Sequence, residues 1–438
     1  MSEKDNNLME KLISLCKRRG FIFQGSEIYG GLAGTYDYGP LGSLLKNNIK
    51  DSWLKKFVHG REDTYLLDAA ILMNGKVWQA TGHVDHFSDP LVECKECKHR
   101  FRADQIQDTK KCPDCNGDLG DVRQFNMMLS TKVGAVDDTA STTYLRPETA
   151  QGIFVNFKNV LDSMSPKLPF GIAQIGKAFR NEITPRDFIF RLREMEQMEI
   201  EYFVDPDRWN EEFEYWKDEM MEWMEEIGLN MKNVYPTEIG EGDRAHYSSR
   251  TIDFEFDFPF GRKELYGLAY RSDYDLSKHT SSSGQKLEYT YPEGAKIVPH
   301  VIEPSFGLDR TILAVLLSAY REDVLKDSEE VRTYLALSPA VAPVICAVSP
   351  LLKNKPELVD KAREVHGLIK KEFGRVAWDD NGNIGKRYRR QDEIGTPWCV
   401  VVDFDSLEDD TVTIRSRDTG MQERMKVDEV IRFIKDNM

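Results

Sequence analysis

The sequence predicts an α+β body that carries a small inserted unit and is followed by an α/β domain. Three observations support this. Between about residues 140 and 310, strand-like apolar runs succeed one another with few strand–helix–strand alternations, the pattern of a largely antiparallel sheet. Four cysteines in two CxxC pairs mark a short polar stretch near residue 100 as an insertion. After about residue 335, apolar runs such as APVICAVSPL and WCVVVDFD alternate with amphipathic stretches such as ELVDKAREVHGLIKKEF. The expected boundaries are 1–334 for the body, 91–120 for the insert and 335–438 for the last domain, entered through SPAVAP. A chain of 438 residues is too long for one ordinary core.

The first stretch, MSEKDNNLMEKLISLCKRRG, groups Leu8, Leu12, Ile13 and Leu15 as an amphipathic helix. Charges interrupt it, so it lacks the apolar core of a signal peptide. In GGLAGTYDYGPLGSLLKNNIKDSWLKKF a glycine-rich turn precedes a helix with Leu41, Leu44, Leu45, Ile49 and Trp53 on one buried stripe. The turn contains neither GKS or GKT nor GxGxxG, which excludes a phosphate loop there. Cys94, Cys97, Cys112 and Cys115 have the spacing of two knuckles closing on a structural Zn2+, with no position left open for a substrate.

From 206 to 230, Trp209, Phe213, Trp216, Met220, Trp223 and Ile227 recur at three and four, giving a helix with a packed face and an acidic one. TIDFEFDFPF alternates Ile252, Phe254, Phe256 and Phe258 with Asp253, Glu255 and Asp257, a half-buried strand whose carboxylates face solvent or a neighbouring strand. KIVPHVIEPSFGLDRTILAVLLSAY reads as a strand, a turn at Pro304 to Gly307 and an apolar helix. In the last domain, GKRYRRQDEIG sets Lys386, Arg387, Arg389 and Arg390 beside Tyr388, either as a solvated face or as an RNA contact.

A net charge of −15 argues against nonspecific binding of polyanions but permits a local basic patch. Seven cysteines, an odd number, do not suggest a disulfide framework. The longest apolar run, 311–320, is about half a bilayer span. The expectation is a soluble, cytoplasmic protein with no membrane partner.

The chemistry concentrates in AFRNEITPRDFIFRLREMEQMEIEYF, residues 178–203, where charges of both signs lie between apolar flanks. An arginine fork beside a buried aromatic, Arg180 next to Phe179, suits a phosphoryl group, and Glu182 can take an amine or hydroxyl donor. Arg186, Arg191 and Arg193 follow, with Glu194, Glu196, Glu199 and Glu201. A ladder of cross-strand ion pairs explains this segment equally well when it is taken alone.

Together with YDYGPLG, RPETAQGIF (146–154) and EPSFGLDR, the segment resembles the motifs of the class II aminoacyl-tRNA synthetases and, closely, the dimeric glycyl-tRNA synthetases. The resemblance spans nearly the whole chain. It implies a class II antiparallel catalytic domain with a zinc-ribbon-like insertion, and a C-terminal α/β anticodon-binding domain. It further implies a homodimer that uses ATP, Mg2+ and a structural Zn2+ to join glycine to tRNA(Gly).

By the same resemblance, Arg180 grips the α-phosphate, and Asn181 and Glu182 complete the nucleotide contact. Arg310 covers the adenine, and Arg191 and Arg193 reach further phosphates or the acceptor stem. Phe190, Leu192, Glu194, Met195, Leu265, Gly307, Leu308 and Asp309 complete the ATP set, and Glu264 works with magnesium. At Met195 the family more often has phenylalanine; a thioether can still pack on a flat ring. The glycine set is Arg102, Glu148, Met195, Glu196, Gln197, Met198, Glu199, Glu303 and Ser305, in which Glu148, Glu199 and Glu303 take the ammonium. Lys386, Arg387, Arg389 and Arg390 would read the anticodon.

Glycine offers no side chain to grip, so its site must hold the ammonium and exclude a Cβ. Two other readings stand beside this one. A noncatalytic relative should have lost the motif arginines and glutamates, which are present. A serine, threonine or proline enzyme shares the class motifs, but RPETAQG and EPSFG favour glycine, and no open His/Cys metal set accompanies the motifs.

Overall fold

The computed structural model describes residues 3–106, 108–135, 142–324 and 330–438 of the 438-residue chain. The body is built on a seven-stranded sheet. Its strands, in chain order, are β1 (Thr64–Leu66), β2 (Phe170–Phe179), β3 (Glu194–Val204), β4 (Val234–Glu238), β5 (Arg250–Phe258), β6 (Gly261–Ser272) and β7 (His300–Gly307). They lie in the order β4–β5–β6–β7–β3–β2–β1, all neighbours antiparallel except β1 beside β2.

Strand alternation decides which face is which. Met198, Ile200 and Tyr202 of β3 and Ile252, Phe254, Phe256 and Phe258 of β5 enter the main core. Against that face pack α1 (Pro40–Leu54), α2 (Trp209–Glu226) and α3 (Leu308–Ala319). The α2 positions Phe213, Trp216, Met220 and Trp223 are buried as their spacing predicts, and so are Leu45, Ile49 and Trp53 of α1. Leu41 is only partly buried and Leu44 is exposed, so the predicted α1 stripe is narrower than expected. Gly42 explains how closely α1 sits: a Cβ there would lie 1.8 Å from the Phe21 carbonyl oxygen.

On the opposite face, short helices Ala150–Phe154 and Phe157–Met164 cover only the end of the sheet near Phe170 and Phe203. The stretch that includes Gln197, Glu199 and Ser305 lines an open cavity instead.

The structure corrects the expected turn at Pro304 to Gly307. β7 runs unbroken through these residues into α3. Pro304 has no N–H to donate, and the β3–β7 register lapses there, pairing Glu199 with Ser305 and next Tyr202 with Ile302. The proline signal marked a gap in a ladder, not a chain reversal.

The insert is a three-stranded antiparallel unit with Ser88–Glu93 between Arg100–Arg102 and Arg123–Asn126. Its core is Val92, Cys94, Cys112 and Leu119. The C-terminal unit holds a mixed sheet of β8 (Cys346–Pro350), β9 (Val376–Trp378), β10 (Trp398–Val402), β11 (Thr411–Ser416) and β12 (Gln422–Lys426), ordered β9–β8–β10–β11–β12. Helices α4 (Pro356–Phe373) and α6 (Val427–Asp436) bury Val365, Ile369, Val430 and Ile434 against it, and α5 (Ile384–Ile394) carries the basic cluster. The main core extends to Ala342 and the second begins at Ile345. Among the described residues no helix is long and apolar enough to cross a membrane.

Candidate active site

A cavity of about 340 Å³ opens on the uncovered part of the sheet. Arginines and acidic groups share its outer part, and a buried carboxylate cluster forms its far end.

Arg180 leaves the end of β2, its Nε donates to the Pro147 carbonyl at 3.1 Å, and its guanidinium lies 5.5 Å from the Phe87 ring. Among the described residues it has no ion pair. Arg191 pairs with Glu182 at 3.5 Å. Arg310, in the first turn of α3, stands over the Phe190 ring at 4.5 Å and donates to the Glu264 carbonyl at 3.0 Å, with the Glu264 carboxylate at 3.4 Å. Asp253, expected to face solvent or a neighbouring strand, lines the same cavity. Burial, with Glu264 and Glu255 close by, raises its carboxyl to about 7.

At the other end, Glu199 is buried and accepts from the hydroxyls of Ser305, at 2.9 Å, and Thr149. Burial and the neighbouring Glu148 push its carboxyl up. Burial raises Glu303 to about 8, with Glu199 and Glu148 adding to the rise, although Arg271 pairs with it at 2.8 Å. Glu148 goes the other way: against the upward push of burial, His83 at 3.3 Å, Arg271 and the Gln151 amide hold it well below the usual range. Three carboxyls of one composition thus differ through their partners.

The RPETAQG segment is held in place by its own arginine. Arg146 is buried and donates to the carbonyls of Lys177, at 2.6 Å, and Ala69, at 2.7 Å. Gly176 makes room for it, since a Cβ there would lie 2.2 Å from Arg146 Nη2.

Two family matches cover most of the chain. Residues 131–319 match the tRNA synthetase class II core domain (G, H, P, S and T), and residues 345–437 match the anticodon binding domain. A glycine–tRNA ligase from Clostridium kluyveri is 48% identical, covering 98% of each chain. One from Treponema denticola is 49% identical, covering 98% of this chain and 96% of that protein. The chain belongs to the glycine–tRNA ligase family. Its fold also matches the crystal structure of prolyl-tRNA synthetase from Cryptosporidium parvum complexed with halofuginone and AMPPNP. That match has a TM-score of 0.68 at 16% identity and covers 97% of this chain and 74% of the other. At that identity the match shows a shared fold.

Not every residue singled out in the sequence reaches the cavity. Glu182, Phe190, Arg191, Leu192, Met195, Glu196, Gln197, Glu264, Leu265, Gly307 and Asp309 line it with Arg180, Arg310, Glu148, Glu199, Glu303 and Ser305. Met198 and Leu308 point into the main core, because strand alternation and the start of α3 turn them inward. Glu194 is on the surface, paired with Lys177 at 2.9 Å. Arg193 ties its loop to residues 33 and 182, donating to the carbonyls of Ala33 and Glu182 at 3.0 Å each. Asn181 lies outside the lining and its backbone N–H donates to the Met127 carbonyl at 2.8 Å. Arg102 stays within the insert, paired with Asp89 at 2.7 Å and Asp104 at 2.8 Å. Glu196 and Asp309 face α1: Glu196 pairs with Lys46 at 2.7 Å, and its backbone N–H donates to Asp309 at 2.8 Å.

The sequence reading missed Arg271, His83 and Tyr247. Arg271 is buried, bonded to Asp275 at 2.7 Å, and lies 3.8 Å from the Tyr247 ring. The available signal was YRSDYD, charges of both signs at the end of an apolar strand.

Two peripheral clusters complete the picture. The four cysteine sulfurs lie within 4.8 Å of one another, with Cys94–Cys115 at 3.5 Å and Cys97–Cys112 at 3.6 Å. Tetrahedral zinc with bonds of about 2.3 Å needs sulfurs about 3.8 Å apart, so the set fits that ion. In the basic cluster, Arg387 is buried and its guanidinium donates to the carbonyls of Pro350, Asp380 and Gly382. Arg390 is bound to Asp379 at 2.7 Å. Arg387 is therefore a structural anchor, not a free anticodon contact; Lys386 is exposed and Arg389 lies at the mouth of a surface groove.

Proposed function

We propose that the chain activates glycine with ATP, giving glycyl-adenylate and pyrophosphate, and then transfers glycine to the 3′ end of tRNA(Gly). The supporting observation is one cavity lined by Arg180, which has no ion pair among the described residues, and by the carboxyls of Glu148, Glu199 and Glu303, the last two buried.

In this reading the glycine carboxylate attacks the α-phosphorus, the bond to pyrophosphate breaks, and Arg180 stabilises the charge that gathers on the phosphoryl oxygens. Arg310, braced on Phe190, covers the adenine, and Met195 packs beside it. Arg191 meets the outer phosphates. Glu264, with Asp253 beside it, would hold the magnesium that arrives with ATP; the crowding that raises Asp253 is the charge imbalance a divalent cation relieves. No protein nucleophile is required.

Glu148, Glu199 and Glu303 surround the ammonium, with Ser305 fixing Glu199. A bound ammonium stabilises the ionised forms of Glu199 and Glu303, so recognition and deprotonation are linked. The carboxyls crowd the Cα and reject a methyl sterically.

Cys94, Cys97, Cys112 and Cys115 hold a zinc ion that staples the insert. Lys386 and Arg389 contact the anticodon arm. The exposed Ile28, Tyr29 and Leu32, just before α1, fit a homodimer contact. This reading places the chain in the cytoplasm, where ATP, glycine and tRNA are available together. Charging of a tRNA(Gly) transcript with labelled glycine tests the reading: glycine-specific charging supports it, and charging with another amino acid contradicts it.

A further inference from the structure

Glu201 follows Glu199 by two positions on β3 and so shares its face of the sheet. It is fully buried, and among the described residues neither carboxyl oxygen has a hydrogen-bond donor. Its oxygens, those of Glu199 and those of Glu303 offer a set of atoms within 4.8 Å of one another.

Every other carboxyl around it has a donor. Glu199 on β3 takes two hydroxyls, and Glu148 takes His83 and Gln151. Asp275, on the helix Tyr274–Ser283, takes Arg271 and Gln151. Glu303 on β7 takes Arg271 of β6 through one oxygen and has lone pairs to spare. One guanidinium, already shared by Asp275 and Glu303, cannot neutralise this many carboxylates, and among the described residues Glu201 is left without a donor. A buried carboxyl in that position keeps its proton. The direction agrees: burial and Glu303 raise it far above the ordinary carboxylate range, with Glu199 and Asp275 adding to the rise and Arg271 opposing it.

We propose that Glu201 is a positioning residue of the ammonium site: it is held as the neutral acid, and its O–H donates to Glu303, fixing that carboxylate between Arg271 and the substrate ammonium. A neutral acid here supplies a donor without adding a further negative charge to the pocket, as in other sites where a carboxylic acid is kept protonated to donate. The role at the ammonium rests on the glycine reading above; the proton on Glu201 does not.

The test compares the full-length chain with Glu201→Gln and Glu201→Leu. In infrared difference spectra between the parent and Glu201→Gln, the carbonyl stretch of a protonated carboxylic acid disappears. Loss of no such band overturns the proposal. In pyrophosphate exchange, Glu201→Leu raises the glycine KM by about tenfold, the scale of one buried hydrogen bond, with the ATP KM unmoved. Glu201→Gln, whose amide N–H still donates, recovers most of that loss. An equal loss in both variants overturns the proposal, because it would mean that the negative charge was needed. Loss of the band in a chain that never exchanges with glycine supports the proton on Glu201 and overturns its role at the ammonium.

Discussion

Ser305 and Glu199 face each other across the β3–β7 register, and the Ser305 hydroxyl donates to the Glu199 carboxylate at 2.9 Å. Among the described residues no other hydrogen bond reaches that oxygen. Ser305→Ala should raise the glycine KM by about tenfold, the scale of a hydrogen bond to a charged group, and leave the ATP KM unchanged. Steady-state exchange kinetics against each substrate check this.

Asp253 gives a pH-dependent signature. Its carboxyl binds a proton more tightly in the folded chain, to about 7, than when unfolded, at about 3.9. Between those values the folded state holds more protons, so stability declines as pH rises towards 7 and this contribution is flat above it. Asp253→Asn removes the penalty and should raise the melting temperature more at pH 8 than at pH 5. Melting curves without ATP or magnesium at the two pH values measure it.

The insert braces the loop between β2 and β3. Thr184 Oγ1 donates to the Arg100 carbonyl at 3.3 Å, and Arg186 donates to Gln105 at 3.0 Å. Removing the metal proposed for the four cysteines should loosen both anchors and raise the ATP KM more than the glycine KM. Limited proteolysis within residues 182–191, before and after chelation, reads the loosening directly.

In the basic cluster, the buried Arg387 should separate from the more accessible Lys386 and Arg389. Lys386→Ala with Arg389→Ala should weaken tRNA charging severalfold and leave glycine-dependent exchange intact. Arg387→Ala should instead destabilise the last domain by about 3 kcal/mol and so lower its melting temperature, because it strips donors from three carbonyls. Charging assays and calorimetry separate the two effects.

These contrasts show what the sequence could and could not tell. Periodicity located α2 and β5, because both bury one face against a large core. Charged residues in an apolar context drew attention to Arg180 and Glu199, because a buried charge needs a ligand or a partner, whereas Glu148 and Glu303 were named only through the resemblance to the family's motifs. The same evidence could not tell Met198 from Gln197, one position apart, since only the paired strand shows which face is open. Nor could it tell Arg387, whose partners are backbone carbonyls, from Arg389, whose side chain reaches a groove. Arg271 went unseen because Asp275 beside it reads as an ordinary local pair, while Glu303 comes from a distant strand that only the fold brings to it.

The most direct measurement is pyrophosphate exchange into ATP without tRNA, with glycine, alanine, serine, threonine and proline each offered alone. The account predicts exchange with glycine only, and its loss by about a thousandfold or more in Arg180→Ala, the scale of removing a main transition-state donor. Exchange driven by another amino acid, or retained in Arg180→Ala, would contradict it.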